Sequence, residues 1–398
     1  MIIQLSNSQE IKKNTSDNDF KVAPQLKWKF KTDAPLFSSP IINENMVYFG
    51  SLDSSMYAVS IETGQMKWKV TTQGQIRSTV YINNKNLYFT GCDGIFYCLN
   101  KYSGDIIWTF KTNGEKVYEL YGYADYFTSS PIYYDNKIFF GSGDGNIYSL
   151  NAENGSLVWR YKTEDVVHAN PIVYDNTLFI GSFDGNFYAL DIITGDLKWK
   201  FKSVGHRFFP KGEFQGTPVA GNGLIFVGSR DYNLYAIDAT KGYCHWNKQF
   251  PLGWALALSY KDTVLYAGTS DDDVMVAFDA LSEKELWRTN VNFNIFGTCS
   301  NSSTMIYFGT INGKLFGLDS RNGSVLWTFK TDGFILNYKK YFKSEDSIVK
   351  NDFYTIVKNP EGYIKALYEL GGIFTTPAIT NDLIIFTSLD GIAYCLSK

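Results

Sequence analysis

The sequence predicts an all-β fold, an eight-bladed β-propeller built from four-stranded antiparallel blades. Three observations support this prediction. Aromatic residues make up 17% of the 398 residues, a composition that favours sheet. One sequence unit recurs about every 40 residues, which indicates a repeat architecture. Each unit carries one tryptophan in the same place, and these residues are Trp28, Trp68, Trp108, Trp159, Trp199, Trp246, Trp287 and Trp327.

Within a unit the elements follow one order, as in the stretch "GSFDGNFYALDIITGDLKW" from Gly181 to Trp199. A strand ends in Gly-Ser, an Asp-Gly turn leads to an aromatic-rich strand, and a Thr-Gly turn leads to the tryptophan strand. A further strand precedes them directly after a proline, as in "NPIVYD". Asp-Gly and similar pairs suit the positive φ angles of tight hairpins, so the unit is typical of four antiparallel strands, which form one blade.

The two ends of the sequence predict how the ring closes. The last unit ends at "IAYCLSK" without its tryptophan strand, whereas the first unit opens with an extra one, "LKWKFKT". Pairing this N-terminal strand, which contains Trp28, with the last three strands would complete the eighth blade and remove an exposed edge. We therefore expect residues 24–398 to form a single propeller, preceded by a polar and mobile leader at residues 1–23.

Composition and charge argue against several classes of partner. The formal net charge is -3 and lysine and arginine form no dense block, which disfavours nucleic acid and a polybasic membrane anchor. The sequence shows no signal peptide, no lipid-attachment cysteine and no apolar stretch long enough to span a membrane. The five cysteines are spaced neither as zinc ligands nor as a disulfide framework, so we expect reduced thiols and a cytoplasmic protein.

Three insertions interrupt the repeat, at residues 113–127, 203–216 and 332–372. All three lie in the connection from the outer strand of one blade to the inner strand of the next. In a propeller these connections surround the axial mouth on one face, and long loops on a rigid scaffold usually hold the binding sites. The third insertion predicts a helix with Asn359 as N-cap and Gly371 after its end. Whether this insertion is a lid, a docking knob or a channel plug is left open.

Residues around this axial mouth are the candidate site. Those expected to bind a ligand or partner are Trp254, Arg207, Glu213, Gln215, Tyr121, Tyr123, Phe296 and Tyr338. His168 and His206 both precede inner strands of neighbouring blades, and with Arg77 they could supply acid/base catalysis. No metal site is predicted, because the acidic turn "SDDDV" at residues 270–274 lacks the spaced ligands of a calcium loop.

Two stretches, "WKFKT…SSPII…VYFGSLDSSMYAVSIETGQMKW" and "WRYKT…NPIV…LFIGSFDGNFYALDIITGDLKW", carry a resemblance to a known family. Over nearly its whole length the sequence resembles the pyrroloquinoline-quinone-like, or quinoprotein-alcohol-dehydrogenase-like, β-propeller repeat proteins. That superfamily includes dehydrogenases, outer-membrane assembly lipoproteins and sensor domains, so the resemblance implies the fold more strongly than a function. In its repeats the sequence resembles the assembly lipoprotein type, but without a signal or lipid anchor.

The resemblance also implies what a quinone site would need. In the family's dehydrogenases it implies two adjacent cysteines above the quinone, a tryptophan below it and a bound Ca²⁺. No two cysteines are adjacent here, and only Trp254 lies outside the repeat positions. We therefore expect no cofactor, neither pyrroloquinoline quinone nor Ca²⁺, and no quinone-dependent dehydrogenase activity.

Two functions stay open. The favoured one is a non-catalytic binding scaffold that presents its elaborated face to a protein or peptide partner, because exposed aromatic residues and arginine are suitable anchors. The alternative is a non-redox enzyme, a lyase or cyclase that acts on a small organic ligand in the axial mouth beneath residues 332–372. An apolar pocket with convergent polar groups would favour the enzyme, and an open aromatic-rich surface would favour the scaffold.

Overall fold

The computed structural model of the protein describes residues 18–116, 125–344, 350–357 and 359–398. These residues form eight four-stranded antiparallel sheets, and each sheet is one blade of a propeller. The predicted all-β, eight-bladed fold is therefore confirmed, together with a small helical insertion within residues 332–372.

Strand β1 (Gln25–Lys31) comes before blade 1 in the sequence. Blades 1 to 7 each use four consecutive strands. The strands of blades 1 to 4 are β2 (Ile41–Asn43), β3 (Met46–Gly50), β4 (Ser55–Ser60), β5 (Met66–Thr71), β6 (Tyr81–Asn83), β7 (Asn86–Thr90), β8 (Ile95–Asn100), β9 (Ile106–Lys111), β10 (Ile132–Tyr134), β11 (Lys137–Gly141), β12 (Asn146–Asn151), β13 (Leu157–Lys162), β14 (Ile172–Tyr174), β15 (Thr177–Gly181), β16 (Asn186–Asp191) and β17 (Leu197–Lys202). The strands of blades 5 to 7 are β18 (Val219–Gly221), β19 (Leu224–Gly228), β20 (Asn233–Asp238), β21 (Cys244–Gln249), β22 (Ala257–Lys261), β23 (Val264–Gly268), β24 (Val274–Asp279), β25 (Glu285–Asn290), β26 (Ser300–Asn301), β27 (Met305–Thr310), β28 (Lys314–Asp319) and β29 (Val325–Lys330).

The strand order gives the molecule two distinct faces. The hairpin between the second and third strands of each blade and the connection to the next blade lie at one end of the strands. We call this end the insertion-bearing face, because it carries all three insertions. The other two hairpins of each blade, between its first and second and its third and fourth strands, form what we call the basal face.

The tryptophans of the outer strands tie each blade to the next one. The indole Nε1–H of Trp28 donates to the carbonyl of Ile61 at 2.8 Å, and that of Trp68 donates to Lys101 at 3.0 Å. Both carbonyls lie between the third and fourth strands of the following blade. Gly64 in the first of these hairpins has a φ of 69°, and a Cβ there would lie 2.7 Å from the Trp28 ring. The Thr-Gly turn of the repeat is therefore required by the tryptophan that packs on it.

The N-terminal strand closes the ring as predicted. The eighth blade has the order β1-β32-β31-β30, and its last three strands are β30 (Ala378–Ile379), β31 (Leu383–Thr387) and β32 (Ile392–Ser397). Strand β1 pairs antiparallel with β32 and places Trp28 opposite Cys395. Beyond the ladder, the N–H of Thr32 donates to the carbonyl of Gly391 at 2.8 Å. Because β1 supplies the missing outer strand, the eighth blade has the same four strands as the others.

The described end of the expected leader contacts the propeller. The Nε1–H of Trp327 donates to the carbonyl of Phe20 at 2.5 Å, and the N–H of Phe20 donates to the hydroxyl of Tyr307 at 2.9 Å. Asp19 accepts hydrogen bonds from the N–H and the hydroxyl of Thr304 at 2.8 and 2.5 Å. Phe20 therefore supplies the acceptor carbonyl that the hairpin between the third and fourth strands supplies in other blades. The eighth blade has no such hairpin, because its third and fourth strands, β32 and β1, come from opposite ends of the chain. The rest of the expected leader, residues 1–17, lies outside the described residues.

The described part of the third insertion contains three short helices, α1 (Asp332–Tyr341), α2 (Lys350–Val357) and α3 (Pro360–Glu369). The Asn359 side chain caps α3 by accepting a hydrogen bond from the N–H of Gly362 at 2.7 Å, as the sequence predicts. Helix α1, which begins after the N-cap Thr331, was not predicted. Within the described ranges, none of the helices has the length and apolar character needed to cross a membrane.

Candidate functional site

Aromatic side chains fill the axial mouth on the insertion-bearing face. Phe374 stacks on Phe296 with ring centroids 5.3 Å apart and an angle of 2° between the rings. The Phe374 ring also lies 5.1 Å from that of Phe37 and 4.9 Å from that of Tyr126. These four residues, which we call the mouth cluster, each come from the segment before a different inner strand. The inner strands therefore surround packed rings at this end of the axis.

The third insertion covers the mouth cluster. Phe334 of α1, Leu367 of α3 and Leu370 just after it are fully buried in the same apolar cluster as Phe37 and Phe374. Burying a side chain of this size contributes about 1.5 to 3 kcal/mol, so the helices are held on the propeller by their own apolar faces. The insertion therefore extends the core of the propeller above the mouth.

Beside the mouth cluster, His168 lies between two carboxylates. Its Nδ1 is 2.9 Å from both carboxylate oxygens of Asp125, and its Nε2 is 2.7 Å from Oε1 of Glu115. Burial alone would lower the pKa of His168, but the charge of Asp125 and the hydrogen bonds to both carboxylates raise it to about 10. His168 is therefore a buried cation at neutral pH. Because Glu115 and Asp125 lie near the two ends of the first insertion, His168 fixes both ends to blade 4.

Asp125 brings together three of the residues that the sequence singles out. Besides contacting His168, it accepts a hydrogen bond at its backbone carbonyl from Nη1 of Arg77 at 3.1 Å. Its Oδ1 accepts a longer one from Nε2 of Gln215 at 3.5 Å. Asp125 itself was not predicted as a site residue, because it lies in an insertion that has no counterpart in the other repeats. These residues and Glu115 form what we call the polar network of the mouth.

Arg230 is a further member of this network that the sequence analysis missed. It is 0% exposed, and its Nη2 donates to Oε1 of Gln215 at 2.7 Å. Its Cζ lies 4.8 Å from the ring centroid of Phe183 and 5.0 Å from that of Trp254. A planar guanidinium can stack on such rings while it donates hydrogen bonds in its own plane. A signal was available, because "GSRDYN" has a charged residue where "GSFDGN" has Phe183.

His206 and Arg207 lie apart from the polar network, at the tip of the second insertion. The His206 ring stacks on Tyr232 with centroids 4.2 Å apart, and its Nδ1 accepts a hydrogen bond from the N–H of Phe208 at 3.3 Å. Arg207 is exposed, with its Cζ 4.3 Å from the ring centroid of Phe208. The structure therefore joins Arg77 to the surroundings of His168 through Asp125, whereas the contacts of His206 are with other residues.

The remaining candidate residues have structural surroundings of their own. Glu213 is fully buried, and its backbone carbonyl accepts a hydrogen bond from the N–H of Arg230 at 2.9 Å. Trp254 is buried and meets the ring of Phe209 edge-on at 5.0 Å. Tyr338 stacks on its helix neighbour Phe334 at 5.6 Å. Two further candidates lie outside the described residues: Tyr121 and Tyr123.

The residues at the mouth do not fit the quinone site that the resemblance implies for dehydrogenases. A flat cofactor at the mouth would need the space that the stacked rings of Phe296 and Phe374 fill. The five cysteines are free thiols and none is adjacent to another in the sequence. In the part of the chain that the structure describes, no group of three or more His, Cys, Asp or Glu side chains is arranged to hold a metal ion.

The outer surface of the insertion-bearing face carries exposed apolar side chains. Leu336 of α1 is 80% exposed, and its neighbour Ile335 and Ile356 of α2 are exposed as well. Phe208 is exposed in the second insertion, and Leu252 is exposed in the connection between β21 and β22. We call these five residues the anchor residues. Exposed apolar side chains on the outer surface of a protein are candidates for contact with a partner.

Comparison with known proteins finds the same architecture. A family model described as outer membrane protein assembly factor BamB matches residues 24–80, 92–210 and 205–333. No curated protein sequence matches the chain at a significant level.

Three solved structures illustrate the range of proteins with this fold. BamB from Moraxella catarrhalis is 17% identical, with a TM-score of 0.70 over 94% of this chain and 100% of that one. The computationally designed Ika8 protein is 15% identical, with a TM-score of 0.71 and the same coverage, 94% and 100%. Quinohemoprotein alcohol dehydrogenase from Comamonas testosteroni is 14% identical, with a TM-score of 0.68 over 94% of this chain and 76% of that one. At these identities the likeness shows the fold alone.

Proposed function

Because the chain belongs to the family described as outer membrane protein assembly factor BamB, we propose that it is a non-catalytic binding scaffold. In this proposal the insertion-bearing face receives a protein or peptide partner. The family description names an assembly factor for proteins, which agrees with a partner that is itself a protein.

The observation that carries the proposal is the set of anchor residues on a face whose mouth is already filled. Leu336 and Ile335 project from α1 with most of their surface in water, while Phe334 beside them is fully buried in the core. The free energy of a protein interface is concentrated in a few side chains that become buried on binding. Apolar residues that stay exposed on a rigid helix are suited to this role, since a partner can remove them from water.

The helices are held in place before any partner arrives. The Nδ2 amide of Asn337 in α1 donates to the carbonyl of Glu369 in α3 at 2.8 Å. The hydroxyl of Tyr341 donates to the carboxylate of Glu369 at 2.5 Å, and Lys340 forms an ion pair with the same carboxylate. A surface that is already ordered loses less conformational entropy when it binds. The helices of the third insertion therefore form an ordered surface for a partner.

The polar network gives no comparable support to an enzyme. A general base needs a free ring nitrogen within hydrogen-bond distance of the substrate. Both ring nitrogens of His168 are hydrogen bonded to the protein's own carboxylates, those of Asp125 and Glu115. The raised pKa of His168 also keeps the ring protonated at neutral pH, which is the wrong state for a base.

The test is to place a charge on the surface of α1. We expect Leu336→Asp to reduce the capture of partner proteins from the source cells about tenfold or more, because a carboxylate would have to be buried in the interface. The measurement is affinity capture followed by quantitative mass spectrometry, with wild-type and variant proteins compared side by side.

Ile193→Asp is the matched control for this experiment. Ile193 is 68% exposed on the basal face, in the hairpin between β16 and β17. The control variant should capture the same proteins as the wild type. Equal capture by the wild type and Leu336→Asp would contradict the proposed role of the insertion-bearing face.

A further inference from the structure

The basal face contains a cavity of about 700 Å³ among blades 8, 1 and 2. Its apolar lining includes Ile42, Ile82 and Ile379, which belong to the inner strands of these three blades. Its polar lining includes side chains of the neighbouring hairpins, among them Asn43 and Glu44. The cavity lies at the opposite end of the strands from the anchor residues and the mouth cluster, so it is a separate site.

Comparison of the repeats shows that the cavity lacks a bridging side chain that two other blades have. In blades 3 and 4 the inner strand ends in a tyrosine, Tyr134 or Tyr174, that reaches the next blade. The Tyr134 hydroxyl donates to Oδ1 of Asn176 at 2.8 Å, and the Tyr174 hydroxyl accepts from the N–H of Gly223 at 3.0 Å. At the corresponding strand end of blade 1 the residue is Asn43. In blade 2 it is Asn83, so both positions leave open the space that a tyrosine ring bridges in blades 3 and 4.

The same comparison singles out Lys101 on the wall of the cavity. The corresponding hairpin position is apolar in five other blades, for example Ile61 in blade 1, and is Ser320 in blade 7, yet here it carries an ammonium group that is nearly fully buried. Lys101 Nζ donates to Oδ1 of Asn43 at 2.6 Å and to Oε1 of Glu44 at 2.8 Å. Burying a charge is costly unless partners compensate it, and these partners come from the adjacent blade. The cavity is therefore lined by a paired charge as well as by apolar side chains.

The charges around the cavity do not cancel. The hydrogen bond from Lys101 lowers the pKa of Glu44, so that its carboxylate stays ionised and balances the one ammonium. Lys85 also lines the cavity, is exposed, and forms no ion pair with any described residue. Two lysines therefore face one carboxylate, and the cavity has an excess of one positive charge beside an apolar surface.

We propose that this basal cavity binds a small organic anion, with a carboxylate near Lys85 and an apolar body against the three isoleucines. A pocket that combines apolar walls with a few polar groups is the usual form of a small-molecule site. A carboxylate suits the excess ammonium because charge-assisted hydrogen bonds are stronger than neutral ones. The ligand is recognised by one negative charge and an apolar group of moderate size.

The experiment is a ¹⁹F NMR titration of the full chain with 4-(trifluoromethyl)benzoate, with the uncharged 4-(trifluoromethyl)benzamide as the comparison probe. We expect the benzoate to bind, octanoate to displace it, and the benzamide to bind at least about tenfold more weakly. Lys85→Gln should weaken benzoate binding about tenfold, because it removes the unpaired charge while the side chain keeps a similar length.

Two further variants make the result specific to the cavity. Asn43→Tyr introduces the tyrosine that blades 3 and 4 have at this position and should abolish binding by filling the space. Lys137→Gln removes a lysine from the corresponding hairpin region of blade 3, where Tyr134 is present, and should bind like the wild type. Unfolding curves that match the wild type would show that the variants fold.

Three outcomes would overturn the proposal. They are the absence of benzoate and octanoate binding by the wild type, equal binding of benzoate and benzamide, and undiminished benzoate binding by both Lys85→Gln and Asn43→Tyr. None of these outcomes affects the proposed role of the opposite face, because no anchor residue is changed.

Discussion

His168 shows how one residue holds an insertion on the scaffold. A neutral imidazole would leave Asp125 and Glu115 with two negative charges in a buried place, which is unfavourable in a medium of low polarity. The protonated ring, with Nδ1 2.9 Å and Nε2 2.7 Å from the carboxylates, satisfies both. The first insertion is thereby fixed by an ionic contact at residues near both of its ends, in addition to the apolar packing of Tyr126 in the mouth cluster.

Replacing His168 should therefore destabilise the protein. We expect His168→Gln to lower the free energy of unfolding by about 3 kcal/mol, because removal of one partner leaves buried charges uncompensated. Urea unfolding followed by tryptophan fluorescence would measure the change. His245→Gln is the control, since His245 is exposed on the outer strand β21 and its replacement should have little effect. Equal stability of His168→Gln and the wild type at pH 6 would contradict the ionic role.

The contribution of His168 should also depend on pH in a defined direction. Its pKa is raised from 6.5 in the unfolded chain to about 10 in the folded protein, so the folded state binds the proton more tightly. The stabilisation is fully present below pH 6.5, declines above that value and is lost as the pH passes about 10. The difference in unfolding free energy between wild type and His168→Gln should therefore narrow from pH 6 to pH 10. A difference that stays constant over this range would refute the assignment.

Arg230 marks the limit of prediction at single positions. Between the serine and the aspartate of the hairpin, other blades have an apolar residue such as Leu52, Phe183 or Leu389. The departure from the repeat is visible in the sequence. The structural role of Arg230 is not visible in the sequence. Arg230 donates to Gln215, which belongs to the second insertion, and no other repeat indicates how that insertion folds.

At the scale of the elements, the segment at residues 18–20 has a structural role that its sequence did not predict. In six other blades the outer tryptophan donates to a hairpin of the following blade, as Trp28 does to Ile61. For Trp327 that blade is the eighth, whose outer strand β1 comes from the N-terminal end of the chain. The carbonyl of Phe20 takes the place of the missing hairpin, and the Phe20 ring is buried against Tyr307 with centroids 5.8 Å apart.

Truncation of the Phe20 side chain tests this function of the segment. Phe20→Ala should lower the free energy of unfolding by about 3 kcal/mol or more, the usual cost of removing a buried phenylalanine ring. Thermal or urea unfolding provides the measurement. Val22→Ala serves as the control because Val22 is 81% exposed, and it should stay close to the wild type. If Phe20→Ala has the same free energy of unfolding as Val22→Ala, the segment does not contribute to the stability of the ring.

The helices of the third insertion were predicted in part. Helix α3 has an N-cap, a proline at its first position and a glycine after its end, and these local signals do not depend on tertiary contacts. Helix α1 lacks a proline and has two exposed apolar residues, Ile335 and Leu336, so its sequence does not show a clean amphipathic pattern. Its position depends on packing against the mouth cluster, which the sequence of one segment cannot reveal.

For the whole molecule, the fold was predictable because the same physical constraint recurs in every blade. Each blade carries a tryptophan, and in six blades the hairpin that receives a tryptophan contains a glycine at positive φ, so the period is visible without an alignment. In blade 6 Glu283 adopts the positive φ at this position. The candidate site was predictable only as a location. Insertions have no internal copy to compare with, and the convergence of Arg77, His168 and Gln215 on Asp125 depends on how three separate segments fold together.

The pairing of β1 with β32 also has a consequence for biosynthesis. Thr32, just after β1, and its hydrogen-bond partner Gly391 are 359 residues apart in the chain. At about 5 to 20 residues per second, the ribosome needs roughly 20 to 70 s to make the intervening segment. Throughout that time β1 is an unpaired strand with aromatic residues, which makes it a target for chaperones and for other nascent chains. The closed ring can form only after translation has produced β32.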